Sequence, residues 1–165
     1  LLGDHGYHLG EHGWWNKVTV FDIGARVPLV IWTPESRGMG AETEAVVELL
    51  DIYPTLAGLS GVEPPHELRG ESLTPILEDP NAGWDRPAFT QVVRGSVGMG
   101  YSVRYGDWRL TQWGEDGAGG LELYDVIKDK EGYYNHASNP EYAATVGQLH
   151  GFLMEGYPQL RRGSG

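Results

Sequence analysis

The sequence predicts an α/β chain in which the tail of an α/β sheet is followed by a small four-stranded antiparallel sheet packed by one helix. Two observations predict this order of elements. Residues 27–32, Val-Pro-Leu-Val-Ile-Trp, form a short apolar run without alternation, which is typical of a strand buried on both faces. From residue 88 onward the chain carries short β-prone runs instead, and one amphipathic segment follows them.

The first half of the chain is predicted to supply an ordered loop and two short helices. Residues 1–22 are rich in glycine, histidine and tryptophan without helical or strand periodicity, and long ordered loops are where function tends to lie. Asp51 can cap a helix over residues 52–59, and Ser72 can cap a second helix over residues 73–77. With the run at 27–32, these helices make up the α/β part.

The second half is predicted to be mainly β-structure. Runs rich in β-branched and aromatic residues predict strands at residues 88–93, 101–105, 108–113 and 121–124. The segment Tyr105-Gly106-Asp107-Trp108 is a tight-turn signal, so the middle two strands are predicted to form a hairpin. A capping-box pattern at residues 138–141 then opens a helix that runs to about Leu153.

These elements predict three parts along the chain. Residues 1–80 are assigned to an α/β domain and residues 81–158 to an antiparallel-sheet subdomain. Residues 159–165 are expected to form a frayed tail.

Composition and charge exclude several classes of protein. The apolar runs are far shorter than the roughly 20 residues that a membrane-spanning helix needs, so no membrane span is expected. The net charge of −11 argues against a nucleic-acid surface, and an anionic substrate must therefore be held by a local cationic site. The absence of cysteine excludes disulfides, thiolate metal sites and a cysteine nucleophile within these 165 residues.

A cluster of chemically active residues lies near the first residue of the chain. Asp4-His5-Gly6 is followed by Gly10-Glu11-His12-Gly13 and then by Lys17. A carboxylate beside an imidazole, with a glycine that allows close backbone approach, can form a metal corner. A lysine 13 positions after Asp4 can fold back over a bound anion. Spacing alone leaves open the alternative that Asp4 makes an Asx-turn and the histidines are solvated.

The order of these residues resembles the second signature region of the sulfatase family. The matching run extends from Asp4 to Lys17 and continues through Phe21-Asp22 to Arg26-Val27-Pro28-Leu29. Further segments follow in family order at residues 51–56, 68–73, 100–104, 108–111 and 122–125. The resemblance covers the chain to about Leu153, and a histidine directly after the aspartate is the choice of iduronate-2-sulfatase-like members.

The resemblance implies a fold and a set of roles. The first part becomes the tail of an alkaline-phosphatase-like α/β sheet. Asp4 and His5 become ligands of a divalent cation, usually calcium. Lys17 becomes the catalytic and substrate-binding residue that contacts the sulfate oxygens. Tyr7 is expected to line the sugar pocket, with an aromatic loop anchor as the alternative.

Other residues of the same region are expected to have structural roles. His8 could protonate a leaving group, but a structural role is favoured because family histidines with that function come from another part of the chain. Loop-building or packing roles are expected for Glu11, His12, Trp14 and Trp15. On the predicted strands, Arg104 and Arg109 are expected to be solvated on an exposed face, with contact to an anionic substrate as the alternative.

The family's nucleophile is not encoded in these residues. It is a formylglycine made from Cys or Ser in a Cys/Ser-x-Pro-x-Arg motif, which this sequence lacks. The chain is therefore interpreted as a C-terminal fragment, inactive alone, whose expected partner is the missing N-terminal sulfatase segment. By family, a sulfated sugar or glycosaminoglycan is the expected substrate, and secreted, periplasmic and lysosomal locations are all compatible.

Two other functions remain open. A phosphomonoester or phosphonate-ester hydrolase of the same superfamily would share the chemistry of the metal and the lysine. A non-catalytic binding or structural module is the second alternative, and the joint presence of Asp4, His5 and Lys17 argues against it.

Overall fold

The computed structural model describes residues 1–34 and 40–162, and its contacts divide the chain into two units. One unit consists of Leu1–Asp4 and Pro28–Arg86, and the other of His5–Val27 and the chain from Pro87 onward. The domain boundaries predicted from the sequence stay a prediction. No helix of the described residues is long and apolar enough to cross a membrane. The elements are helices α1 (Asp22–Ala25), α2 (Ile52–Leu59), α3 (Thr74–Glu78) and α4 (Ala143–Gly156), and strands β1 (Ala88–Arg94), β2 (Gly98–Tyr105), β3 (Trp108–Trp113) and β4 (Gly120–Asp125).

The apolar run at residues 27–32 does not form the predicted strand. Within residues 1–34 it makes a single antiparallel bridge, between Leu2 and Leu29. Val30 is 56% exposed and Trp32 is 67% exposed, so the run is not buried on both faces. Within the run, Pro28 has no backbone N–H to donate to a neighbouring strand.

A buried aspartate organises the segment around α2. The carboxylate of Asp51 accepts hydrogen bonds from the backbone N–H groups of Glu48 and Glu71, both at 2.9 Å. It makes no side-chain cap of α2, which corrects the capping role expected for it. The Thr55 hydroxyl donates to the Asp51 carbonyl at 2.6 Å and accepts from the Leu73 N–H at 2.8 Å. Because Thr55 is fully buried, its hydroxyl has no water to replace these partners.

Replacing Thr55 by valine is expected to destabilise this unit. Valine has nearly the same volume, but the Leu73 N–H loses the hydroxyl that accepts its hydrogen bond, at a cost of about 1–3 kcal/mol. Urea unfolding of the chain measures this as a lower midpoint. The control is Thr43→Val at an exposed position, where we expect a change within about 0.5 kcal/mol. Equal midpoints for the two variants would contradict the structural role of the Thr55 hydroxyl.

The four strands form one antiparallel sheet in sequence order, as predicted. One face is apolar, and Val103, Leu110 and Leu123 lie opposite one another in the register and are fully buried. Helix α4 packs on this face through Leu149 and Leu153. The expected four-stranded sheet with one packing helix is confirmed. Helix α4 is preceded by a 3₁₀ turn, Pro140–Tyr142, in which the Asn139 side chain accepts from the Glu141 N–H.

The expected frayed tail is wrong for the residues that the structure describes. Residues Pro158–Arg162 form a 3₁₀ helix, and Leu160 is fully buried in the same core as α4. An apolar side chain that fills a core keeps the backbone around it ordered. Residues 163–165 of the predicted tail lie outside the described residues.

The opposite face of the sheet is polar. Side chains alternate along each strand, so the residues between the core positions share this second face. Ser102, Arg109 and Thr111 lie there and are nevertheless buried. Their side chains bond one another: Arg109 Nη1 donates to Ser102 Oγ at 3.2 Å, and Thr111 Oγ1 lies 3.0 Å from the same oxygen. The segment His5–Val27 covers this face.

Candidate active-site loop

Asp22, the first residue of α1, ties the loop His5–Val27 to the polar face of the sheet. Its Oδ1 accepts from Arg109 Nε at 3.1 Å and Nη2 at 2.8 Å, and Arg104 Nε lies 3.6 Å away. Arg109 is only 4% exposed, so the expectation that these arginines are solvated is wrong. The loop removes water from the strand face, and the carboxylate then supplies the counter-charge that the two guanidinium groups need.

Aromatic stacking adds a second attachment. The His12 ring stacks on Phe21 with a centroid distance of 4.0 Å and lies 4.7 Å from the Tyr133 ring. The His12 Nε2–H donates to the Glu131 carbonyl at 2.6 Å. Glu11 accepts from the Leu9 N–H at 2.6 Å, and backbone N–H donors lower the pKa of Glu11. These contacts agree with the loop-building roles expected for Glu11 and His12.

Lys17 and His5 face each other within this loop. The Lys17 ammonium lies 3.0 Å from His5 Nε2, and His5 Nδ1 lies 2.9 Å from the Gly6 carbonyl oxygen. An ammonium only donates, so we assign the ring proton to Nδ1 and the lone pair that accepts from Lys17 to Nε2. The Gly6 backbone passes so close to Ile23 that a Cβ at residue 6 would collide with the Ile23 carbonyl oxygen.

The His5 ring fits the role of a metal ligand. Ligating histidines usually donate their other ring N–H to a carbonyl or carboxylate, which fixes the tautomer and the ring orientation. His5 does this through Gly6, and its Nε2 lone pair points at a cationic group, the Lys17 ammonium. Asp4 is exposed and precedes His5 directly in the sequence. Among the residues that the structure describes, no group of three or more His, Asp or Glu side chains could hold a metal ion.

The aromatic residues of the loop differ in exposure. Tyr7 is 50% exposed, and its hydroxyl lies 3.4 Å from the Trp15 carbonyl oxygen. Trp14 packs as expected, with the Arg94 guanidinium 3.8 Å above its ring and its indole N–H donating to the Lys17 carbonyl at 3.2 Å. Trp15 is 70% exposed, so a packing role does not describe its side chain.

His8 and Val18 are features of the loop that sequence reasoning did not resolve. The His8 side chain is fully buried, with Nε2 2.7 Å from Thr19 Oγ1. Val18 has φ = 66°, a left-handed conformation that costs a β-branched residue about 1–3 kcal/mol. Such strain persists only where surrounding contacts impose it. Nothing in the local sequence signals a positive φ at a valine.

Glu122 is a further carboxyl group that the sequence did not single out, and it is partly buried. It lies on β4, two residues before Tyr124, so both side chains share the polar face. Burial raises the pKa of Glu122, and its Oε2 has no hydrogen-bond partner among the described residues. The alternation along β4 was the available signal, because it places Glu122 on the face that the loop covers.

The structure thus combines a four-stranded sheet and its packing helix with a loop in which the Lys17 ammonium lies 3.0 Å from His5 Nε2. Residues 10–158 match the family described as N-sulphoglucosamine sulphohydrolase, C-terminal. The chain belongs to this family, whose members are sulfuric ester hydrolases. The resemblance to sulfatases inferred from the sequence is thereby confirmed.

Similar proteins agree with this assignment. The N-acetylglucosamine-6-O-sulfatase of Bacteroides thetaiotaomicron is 31% identical over 96% of this chain and 29% of its own length. A protein solved in complex with its substrate D-glucosamine-2-N,6-O-disulfate has a TM-score of 0.83 and 28% identity, over 99% of this chain and 34% of that one. The phosphonate monoester hydrolase of Agrobacterium radiobacter has a TM-score of 0.78 and 27% identity, over 96% and 34%. The chain thus spans about a third of the length of these relatives.

Proposed function

We propose that the chain supplies the lysine side of a sulfatase active site that hydrolyses sulfate esters of sugars or glycosaminoglycans. The single observation that carries the proposal is the pairing of Lys17 with His5 Nε2 in a loop anchored by Asp22. In this arrangement an ammonium that can bind an anion lies directly beside an imidazole of the kind that can bind a metal ion. Sulfated sugars named for similar proteins support the substrate class. Iduronate-2-sulfate remains the finer candidate indicated by the histidine at position 5.

The chemistry requires stabilisation of negative charge. Hydrolysis breaks the bond between sulfur and the ester oxygen, and charge builds on the departing oxygen while the sulfate group keeps its own. Lys17 stabilises this charge because its ammonium interacts more strongly as the charge grows. A divalent cation, calcium in this proposal, neutralises sulfate charge when it is bound. Asp4 and His5 would hold this cation, and the bond of His5 Nδ1 to the Gly6 carbonyl would orient the ring.

The chain alone is proposed to be inactive. A calcium site takes about 6–8 ligands, and these residues offer it two side chains. They also lack a cysteine and the formylglycine motif. The nucleophile, the remaining ligands and part of the sugar site are therefore assigned to an N-terminal sulfatase segment, which is the proposed partner. Tyr7 lies in the same loop as Lys17 and is half exposed, and we propose that it contacts the sugar.

The test expresses the complete reading frame that encodes the chain and assays it with an aryl sulfate, glucosamine 6-O-sulfate, iduronate 2-O-sulfate and a phosphonate monoester. We expect sulfate release that exceeds phosphonate hydrolysis, and none from the isolated chain. Preferential phosphonate hydrolysis would favour the second candidate function, which the similarity to a phosphonate monoester hydrolase supports. Absence of both activities in a folded protein would favour a non-catalytic module.

Asp4→Asn in that complete protein is expected to raise the calcium concentration needed for half-maximal activity. The amide keeps one oxygen but removes the ligand charge, so excess calcium should restore part of the lost rate. A calcium titration of activity, alongside calorimetric binding, measures the shift. Asp79→Asn, in the same structural unit and outside the loop, is the matched control and should leave the titration unchanged. A normal calcium requirement in Asp4→Asn would remove Asp4 from the ligand set.

A further inference from the structure

We propose that His8 is a positioning residue: its bond to Thr19 clamps the Lys17-Val18 segment and so fixes the Lys17 ammonium opposite His5. The functional consequence rests on the role proposed for Lys17. The clamp itself is a property of the loop and can be tested without catalysis. No part of it depends on a bound metal.

His8 contacts the chain on both sides of Lys17-Val18. Its backbone N–H donates to the Asn16 carbonyl at 2.9 Å, on the residue before Lys17. Its ring Nε2 lies 2.7 Å from Thr19 Oγ1, on the residue after Val18. His8 therefore holds the residues on both sides of the Lys17-Val18 dipeptide in place. Either tautomer of the ring can make the second bond, because a hydroxyl both donates and accepts.

The clamped dipeptide includes the strained residue of the loop. Val18 has a left-handed φ of 66°, which L-residues with a branched Cβ avoid. Its side chain is 52% exposed, so burial of that side chain does not explain the conformation. Besides His8, Arg94, Trp14 and Asn16 contact the backbone of the segment. Arg94 Nη1 lies 3.5 Å from the Val18 carbonyl oxygen, the Trp14 indole N–H donates to the Lys17 carbonyl at 3.2 Å, and Asn16 Oδ1 accepts from the Lys17 N–H at 2.8 Å.

The environment of His8 keeps its ring in place and uncharged. His8 is fully buried and Thr19 is 5% exposed, so water does not compete for the bond between them. The His12 and Phe21 rings each lie 6.0 Å from the His8 ring in edge-to-face geometry. Burial lowers the pKa of His8, with His12 and Arg94 acting in the same direction and the Glu11 backbone and carboxylate acting against it. The clamp is therefore made by a neutral imidazole.

The decisive variant is Thr19→Val, which removes the hydroxyl and leaves His8 and the volume of the site almost unchanged. Thr19→Ser is the matched control, because it keeps the hydroxyl. NMR of the chain labelled with ¹⁵N-histidine reports on Lys17 through the signal of His5 Nε2, because this atom lies 3.0 Å from the Lys17 ammonium. Lys17→Ala identifies how this signal looks when the ammonium is absent. We expect Thr19→Val to move the His5 signal toward that of Lys17→Ala, and Thr19→Ser to leave it unchanged.

Two results would overturn the proposal. In the first, Thr19→Val leaves the His5 signal at its wild-type position. In the second, Thr19→Val also shifts the methyl signals of Val103, Leu110 and Leu123. This would show that the bond supports the whole fold and not the loop alone. His8→Gln adds a rescue arm, since its amide can reach the Thr19 hydroxyl. We expect it to keep the His5 signal closer to wild type than His8→Leu does.

In the complete protein, Thr19→Val should lower kcat by about ten- to a hundred-fold with little change in KM, as expected for a misplaced catalytic group. Thr19→Ser should retain the wild-type kcat. The two proposals fail differently. If the His5 signal shifts but Lys17→Ala is fully active, the clamp stands and the catalytic role of Lys17 is wrong. If Lys17→Ala is inactive but Thr19→Val alters neither the signal nor kcat, the clamp is wrong and the catalytic role stands.

Discussion

Lys17→Ala in the complete protein is expected to lower kcat by about a hundred- to a thousand-fold, equivalent to about 2.7–4 kcal/mol of transition-state stabilisation. The loss falls on kcat because the ammonium interacts most strongly with charge that develops as the ester bond breaks. Steady-state kinetics with a sulfated sugar measure the change. Lys130→Ala is the control, because Lys130 is an exposed lysine of the same unit outside the loop.

Calcium gives a second expected result for this variant. Because Asp4 and His5, and not Lys17, are the proposed ligands, calcium affinity in Lys17→Ala should be nearly unchanged, and excess calcium should not restore the rate. Lys17→Arg should restore only part of it, since a planar guanidinium replaces a compact charge. Full activity of Lys17→Ala, or its rescue by calcium, would remove Lys17 from the catalytic site.

Asp22→Asn is expected to destabilise the sheet unit by about 3–5 kcal/mol. The aspartate side chain is 12% exposed and that of Arg109 is 5% exposed, so a neutral amide leaves buried guanidinium charge without compensation. Burial already lowers the pKa of Arg104, and Asp22 is the largest influence that opposes this. Denaturant unfolding, followed by the near-ultraviolet signal of the sheet tryptophans, measures the loss. Asp116→Asn, at an exposed turn, should change stability by less than about 0.5 kcal/mol.

A double variant separates loss of a charge pair from loss of packing. Replacing Asp22 and Arg109 together by leucine and methionine removes the carboxylate and one of its two guanidinium partners and keeps apolar volume, so part of the lost stability should return, although Arg104 stays without its counter-charge. The loop would then stay attached through the contacts of His12 with Glu131 and Tyr133 and of Phe21 with Tyr124. If the double variant is no more stable than Asp22→Asn, the pair does not act through its charge.

The sequence predicted the sheet better than it predicted the α/β part, for a physical reason. The alternation that places Val103, Leu110 and Leu123 on one face is local, and neighbouring strands pair in sequence order. The run at residues 27–32 has the composition of a strand, but within the described residues it makes one isolated bridge. Pairing is a tertiary property, so composition alone could not determine it. Asp51 was misassigned for the same reason, because it bonds the backbone of Glu71, 20 residues away.

The loop was predictable in its residues and not in its geometry. The resemblance of the run that contains Asp4, His5 and Lys17 to the sulfatase family carried the functional hypothesis, and the roles of these residues remain proposals. The burial of Arg109 could not be foreseen, because an arginine on a strand face is solvated unless another segment covers it. The left-handed Val18 could not be foreseen either, since valine is among the residues least suited to it.

The attachment of the loop to β3 also has a consequence for synthesis on the ribosome. The Asp22–Arg109 bond joins residues 87 positions apart, and the other unit's long segment, Pro28–Arg86, is translated between them. Until β3 has emerged from the exit tunnel, the loop has no sheet on which to dock and its carboxylate has no guanidinium partner. The strands pair between close neighbours in sequence, whereas docking of the loop requires closure of this long intervening segment. The loop that carries Lys17 is therefore synthesised before β3 and can dock only after β3 is in place.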